Sequence, residues 1–144
     1  MAGFDCPGGA GVGASAFVVS ALASAGYRNA FGAAVGAAVC MEPIVVRQHE
    51  WAREARLDDG SERGCERVRV YVCMCSVDDC VAASAAVRRD LMLADWADVN
   101  AELAGSGVRI VCAAVGAVED LGRDSCGRWV RAFDVECTVV RDHG

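Results

Sequence analysis

The sequence predicts an α+β fold in the order helix, β-hairpin, helix, β-hairpin, with the helices packed on a mainly antiparallel sheet. Three observations predict it. Arg67 to Cys75 alternates polar and apolar, with Val68, Val70, Val72 and Met74 on one face, as a half-buried strand does. Val77, Cys80, Ala83, Val87 and Leu91 recur at helical spacing. Arg128 to Arg141 alternates again, placing Trp129, Phe133, Val135, Cys137 and Val139 together. Strands joined by turns bury one face most simply under helices. At 144 residues and 54% hydrophobic composition, residues 1–144 suit a single domain with a core of its own.

The first helix is expected from about Ala14 to Gly26, with Phe17, Ala21 and Ala25 on one stripe and Val18 and Leu22 beside them. Residues 1–13 are Gly-rich and read as a flexible N-terminus, because each Gly costs a helix about 1 kcal/mol. The uncharged stretch Cys6 to Tyr27 is long enough to raise a membrane span, but it is mostly Ala, Gly and Ser. No basic segment precedes it, so neither a span nor a signal peptide is expected. A second short helix is expected across Asn29 to Val39, closed by Pro43.

Ile44 opens an extended run, and Asp58 to Gly64 is a polar turn, so residues 44–75 read as a long hairpin joined at Asp59-Gly60. Its arm from Gln48 to Leu57 also fits a charged helix, with Trp51 and Ala55 four apart; the strand is preferred. Ser76 caps the next helix, with an acid at Asp79. Asp95 to Leu103 extends that helix or forms another capped by Asp95, and Gly105-Ser-Gly107 ends it. Val108 to Val118 is nearly continuous in apolar residues, as a strand covered on both faces would be. Glu119 to Gly127 reads as a loop. The hairpin ends at Arg56 to Glu66 and Glu119 to Arg128 are charged and are expected to protrude toward neighbours.

The net charge of −6 argues against general binding of DNA or an anionic membrane. All 14 basic residues are Arg, which fits coding bias in a GC-rich genome. No nucleotide-binding, serine-hydrolase or metalloprotease motif occurs, and the Gly9, Gly11, Gly13 patch follows no strand. Asp78-Asp79 sits where acids favour a helix dipole. Glu119-Asp120 reads as solvated loop acids, and His49 has no partner that the sequence identifies. No enzymatic activity and no cofactor are expected.

Nine cysteines stand out. Their odd number and the absence of a signal peptide argue against a disulfide scaffold. The cluster Cys73-x-Cys75-x4-Cys80 has two readings. On a strand, Cys73 and Cys75 share a face about 6–7 Å apart, and a thiolate trio could hold zinc. The favoured reading is reduced thiols used as small hydrophobes. The arginines also have two readings. Arg67, Arg69, Arg123, Arg128 and Arg131, with Trp129 between the last two, either form a solvated sheet face or mark a subunit interface in which Arg pairs set register.

The chain resembles the tail-terminator or tail-completion proteins of tailed bacteriophages and prophages. The residues that carry the likeness are an N-terminal helical region ending near Pro43, the hairpin with Val68-Arg-Val-Tyr-Val72, the helix after Ser76 with Arg88-Arg-Asp-Leu-Met92, and the last hairpin, Gly127 to Val140. The resemblance spans most of residues 14–141 and is one of length and element order. It implies a structural protein with no catalytic residues. The partners implied are copies of itself in a ring, typically hexameric, the tail tube protein that the ring caps and the head-side connector that it joins. It also implies a place in the virion tail after assembly in the host cytoplasm, with DNA sliding unbound through an acidic lumen.

Overall fold

A computed structural model describes residues 13–32, 42–57 and 59–142 of the chain. The elements are α1 (Ala14–Ser24), β1 (Ala30–Phe31), β2 (Ile44–Arg56), β3 (Glu62–Met74), α2 (Val77–Met92), α3 (Trp96–Glu102), β4 (Val108–Val115), β5 (Glu119–Arg123) and β6 (Trp129–Arg141). The architecture is α+β, with three helices on one face of a six-stranded, mostly antiparallel open sheet.

Three strands of 13 residues, β2, β3 and β6, form the spine of the sheet. β3 lies between the others and pairs with β6 along its whole length, from Glu62↔Arg141 to Met74↔Trp129. One side of β6 is thereby filled, so β4 and β5 share its other side, against residues 135–141 and 129–132 respectively. β1 adds two residues parallel to β2 at the opposite edge.

Period-two alternation puts Val68, Val70 and Val72 of β3, Val46 of β2 and Phe133, Val135, Cys137 and Val139 of β6 beneath the helices. Phe17, Val18 and Leu22 of α1 and Val87 and Leu91 of α2 close over them, and all are at most 1% exposed. Burying each of the larger side chains contributes about 1.5–3 kcal/mol.

Local chemistry sets the helix boundaries. Ser76 accepts the Asp79 N–H at 3.4 Å to start α2, and Asp95 accepts from Ala97 and Asp98 at 3.1 and 3.3 Å to start α3. α1 begins at Gly13, which has no capping side chain. The cap comes from the sheet instead. The carboxylate of Glu66 on β3 accepts the Ala14 N–H at 2.7 Å, and Gln48 Oε1 on β2 accepts the Ser15 N–H at 3.1 Å. Gly13 lets these groups approach, since a Cβ there would lie 2.8 Å from Gln48 Oε1.

Several expectations are corrected. Ala30–Phe31 is a strand rather than the start of a helix over Asn29 to Val39, because its backbone pairs with Ile44 and Val45; residues 33–39 of that helix lie outside the described residues. Residues 1–12, read as flexible, also lie outside them. Ala25 is exposed, since α1 ends one residue before it. The arm from Gln48 to Arg56 is a strand, as preferred, but the first hairpin does not project, because β6 accompanies β3 to its end. β4 is covered on one face only: it is an edge strand, and Val111, at a bulge, is 54% exposed. The segment read as a loop after residue 118 contains β5, whose pairing to β6 survives a bulge between Asp120 and Gly122.

Candidate assembly surface

The sheet face away from the helices carries most of the arginines that the sequence singles out. Arg67 and Arg69 occupy alternate positions of β3 and stand directly across from Glu136 and Asp134 of β6. Each pairs with its neighbour: Arg67 to Glu136 at 2.7 Å and Arg69 to Asp134 at 2.9 Å, with Arg69 also reaching Glu119 at 3.1 Å. Hydrogen bonding to Asp134, together with the charges of Asp134 and Glu119, raises the Arg69 pKa against the opposing effect of burial. Such half-exposed pairs contribute about 0.2–1 kcal/mol each, so they set register more than they stabilise.

Arg128 belongs to the β5–β6 turn. Its guanidinium meets Asp124 at 2.8 Å, and Asp124 also accepts the backbone N–H groups of Cys126 and Arg128 at 2.9 Å. Burial raises the Asp124 carboxyl, but these bonds and the Arg128 charge outweigh it and leave the pKa below the ordinary value. Arg123 stacks over the Trp129 ring, 5.4 Å from its centroid, and donates to the Gly127 carbonyl.

Arg131 is in phase with Trp129 on β6, on the side away from Arg67 and Arg69. It lies on the helix-covered face, across from Val72 and Asp120, and its buried Nε finds no acceptor among the described residues. Of the six candidates, then, Arg67, Arg69 and Arg128 are compensated by acids within the chain. Arg123 and Trp129 form a local pair, and Arg131 follows Trp129 on the side away from Arg67 and Arg69.

Sequence reasoning passed over Arg47. It is exposed on β2, across from Arg69 on the same face, and no acid pairs with it among the described residues. Beside it Val45, Tyr71, Cys73 and Val130 floor a cleft of about 270 Å³, with Arg47, Arg128 and Asp124 at the rim. The signal was present in the alternation, since Val45, Arg47, Tyr71 and Cys73 share a parity once β2 and β3 are registered.

The cysteine trio does not converge. Cys73 faces this cleft, Cys75 is exposed beyond the end of β3, and Cys80 is buried beneath α2 with its thiol directed at the carbonyls of Val72 and Trp129, both at 3.4 Å. Cys73 and Cys80 thus lie on opposite faces of the sheet, so the three thiols named in the zinc alternative are not brought together. Among the described residues no three His, Cys, Asp or Glu side chains gather as metal ligands would. Cys75, Cys80, Cys112, Cys126 and Cys137 are free thiols, and burial pushes the Cys80 thiol above its ordinary pKa.

The other acids have local duties. Asp78 and Asp79 occupy the first turn of α2, and Glu119 binds Arg69. His49 is exposed at the first bulge of β2. No helix among the described residues is long and apolar enough to cross a membrane. Neither the protein-family models nor the curated proteins provide a match to this chain.

Proposed function

We propose that this chain is a structural subunit of a phage or prophage tail, acting as a tail terminator: a self-assembled ring, hexameric by resemblance, that caps the tail tube and joins it to the head-side connector. The observation that carries this reading is the one-sided sheet. Its helix-free face combines charges set in register, Arg67 with Glu136 and Arg69 with Asp134, with an apolar cleft edged by Arg47, which no acid among the described residues meets. An apolar cleft edged by an exposed cation on a sheet is a surface suited to protein contact. The order of helix, hairpin, helix and strands supports the same reading. An acidic ring would let DNA pass without adhering, given the net charge of −6. The ring would belong to the virion tail after assembly in the host cytoplasm.

The test is the mass of the purified chain by light scattering over a wide concentration range, with electron microscopy of the same samples. A closed particle of several chain masses, six for a hexamer, is expected. A monomer at the highest concentration would overturn the reading, and a ring with a mainly basic lumen would overturn the account of DNA passage.

A further inference from the structure

We infer that the chain binds a second copy of itself head to tail, with the corner between α2 and α3 of one copy seated in the open-face cleft of the next. This rests on the assembly reading above and names the surfaces that would carry it.

The argument starts from what is exposed. Leu93 and Met92, at the end of α2, are 76% and 56% exposed, the two highest values among the large hydrophobic side chains of the described residues. Asp90, Asp95 and Asp98 stand close to them, and all three line the same depression as Leu93. Arg89 and Tyr27 already meet Asp90, at 3.7 and 2.6 Å, so it is Asp95 and Asp98, which pair with no cation among the described residues, that give this apolar knob an acidic side. The cleft is its complement in both respects: Val45, Tyr71, Cys73 and Val130 make an apolar floor, and no acid among the described residues meets Arg47 at the rim. An apolar anchor entering a pocket supplies most of the energy of such a contact, while opposite charges at the rim set its orientation.

The knob belongs to the helix layer and the cleft to the opposite face of the sheet, so one copy cannot satisfy itself. A contact between two unlike surfaces is heterologous, and it closes into a ring when the rotation between copies permits.

The sheet edges are poorly suited to the same task. At the β4 edge, the Asn100 side chain already bonds both the N–H and the C=O of Ile110 at 2.9 Å, and a bulge follows before Cys112. β2 carries two bulges along its length. Bulges and occupied backbone groups are how edges are kept from pairing with other strands. The partner is thus directed to the faces.

The test uses two full-length variants, Arg47→Glu in the cleft and Leu93→Asp on the knob, both at exposed positions. Circular dichroism confirms folding, and sedimentation measures mass. Each variant alone is expected to associate at least tenfold more weakly than the parent. Mixed in equal amounts they are expected to form a dimer and nothing larger, because one intact cleft meets one intact knob and growth then stops. If either charged variant unfolds, Arg47→Ser and Leu93→Ser replace them in the same mixing experiment. Variants that assemble like the parent, or a mixture that stays monomeric, would overturn this interface while leaving ring assembly standing. A parent chain that is itself monomeric would overturn both.

Discussion

Glu66 offers the strongest test of how this fold is held together. It is a carboxylate with 0% exposure in the middle of a helix-to-sheet interface. Its Oε1 accepts from the Ala14 N–H and from Gln48 Nε2, both at 2.7 Å, and its Oε2 pairs with Arg141, whose side chain is 12% exposed. One buried charge therefore caps α1, orders β2 and ties down the last residue of β6. Glu66→Ala removes all three interactions and leaves the Arg141 guanidinium without this carboxylate. Breaking a buried ion pair from one side costs about 3–5 kcal/mol, a large share of the about 5–15 kcal/mol that a domain has. At about 2–4 °C per kcal/mol the melting temperature falls by about 6–20 °C. Glu66→Gln rescues little, because it keeps an acceptor toward Ala14 but turns a donor toward Arg141. Guanidinium unfolding followed by tryptophan fluorescence gives the free energies, with an unchanged m-value certifying the comparison. In a cycle with Arg141→Met, the double variant is expected to be more stable than the two separate losses add up to, by about 1 kcal/mol or more. A Glu66→Ala loss below about 1 kcal/mol, or strict additivity with Arg141→Met, would refute the reasoning.

Three further outcomes are expected. Asn100→Ala orphans the Ile110 N–H and C=O and costs about 1–3 kcal/mol, with amide exchange accelerating first along β4. Stability falls as pH rises from about 9 toward 12, because burial, and then the Glu66 charge, pushes the Cys137 thiol up to about 12, so the unfolded chain releases that proton first. Tyr27, raised to about 12 by burial and its hydrogen bond to Asp90, adds to the loss from about pH 10. Cys137→Ala and Tyr27→Phe should each flatten this alkaline limb in pH-jump unfolding. Alkylation of the native protein, mapped by mass spectrometry, is expected to modify the exposed Cys75, Cys112 and Cys126 first and the buried Cys80 and Cys137 last; equal rates would contradict the burial of Cys80 and Cys137 between helices and sheet.

The regular elements were legible where side-chain chemistry and periodicity agreed. α2 has a Ser cap, a clean apolar stripe and acids in its first turn, and its observed bounds Val77–Met92 follow. β3 alternates from Glu66 to Val72 and β6 from Phe133 to Val139, so both strands and their buried faces could be read directly. β5 could not, because Glu119-Asp-Leu-Gly-Arg123 has the composition of a loop and is extended only because β6 offers a partner. The apolar run in β4 misled for a related reason. In a chain so rich in Ala and Val, an apolar residue is weak evidence of burial, and Val111 and Ala114 are exposed on an edge strand.

The candidate surface was half legible, and the missing half is a matter of register. Arg67 and Arg69 could be placed on a strand face, but their acids lie 69 and 65 residues further along the chain, and only the β3–β6 pairing brings them opposite. The alternation held one clue that composition obscured. Glu66 is in phase with Val68, Val70 and Val72, and Arg131 and Arg141 are in phase with Phe133, Val135 and Val139. A charge in phase with a buried face costs several kcal/mol unless a partner meets it. Those three positions therefore had to be either paired across the sheet or placed where the helix layer ends. Glu66 and Arg141 take the first course, meeting over the start of α1. Arg131 takes the second, at the end of β6 where α2 begins and Cys80 approaches the Trp129 carbonyl. By the same logic Arg47, in phase with the open face and met by no carboxylate among the described residues, stands in water, and the acidic Leu93 corner of a second copy has the chemistry to pair with it.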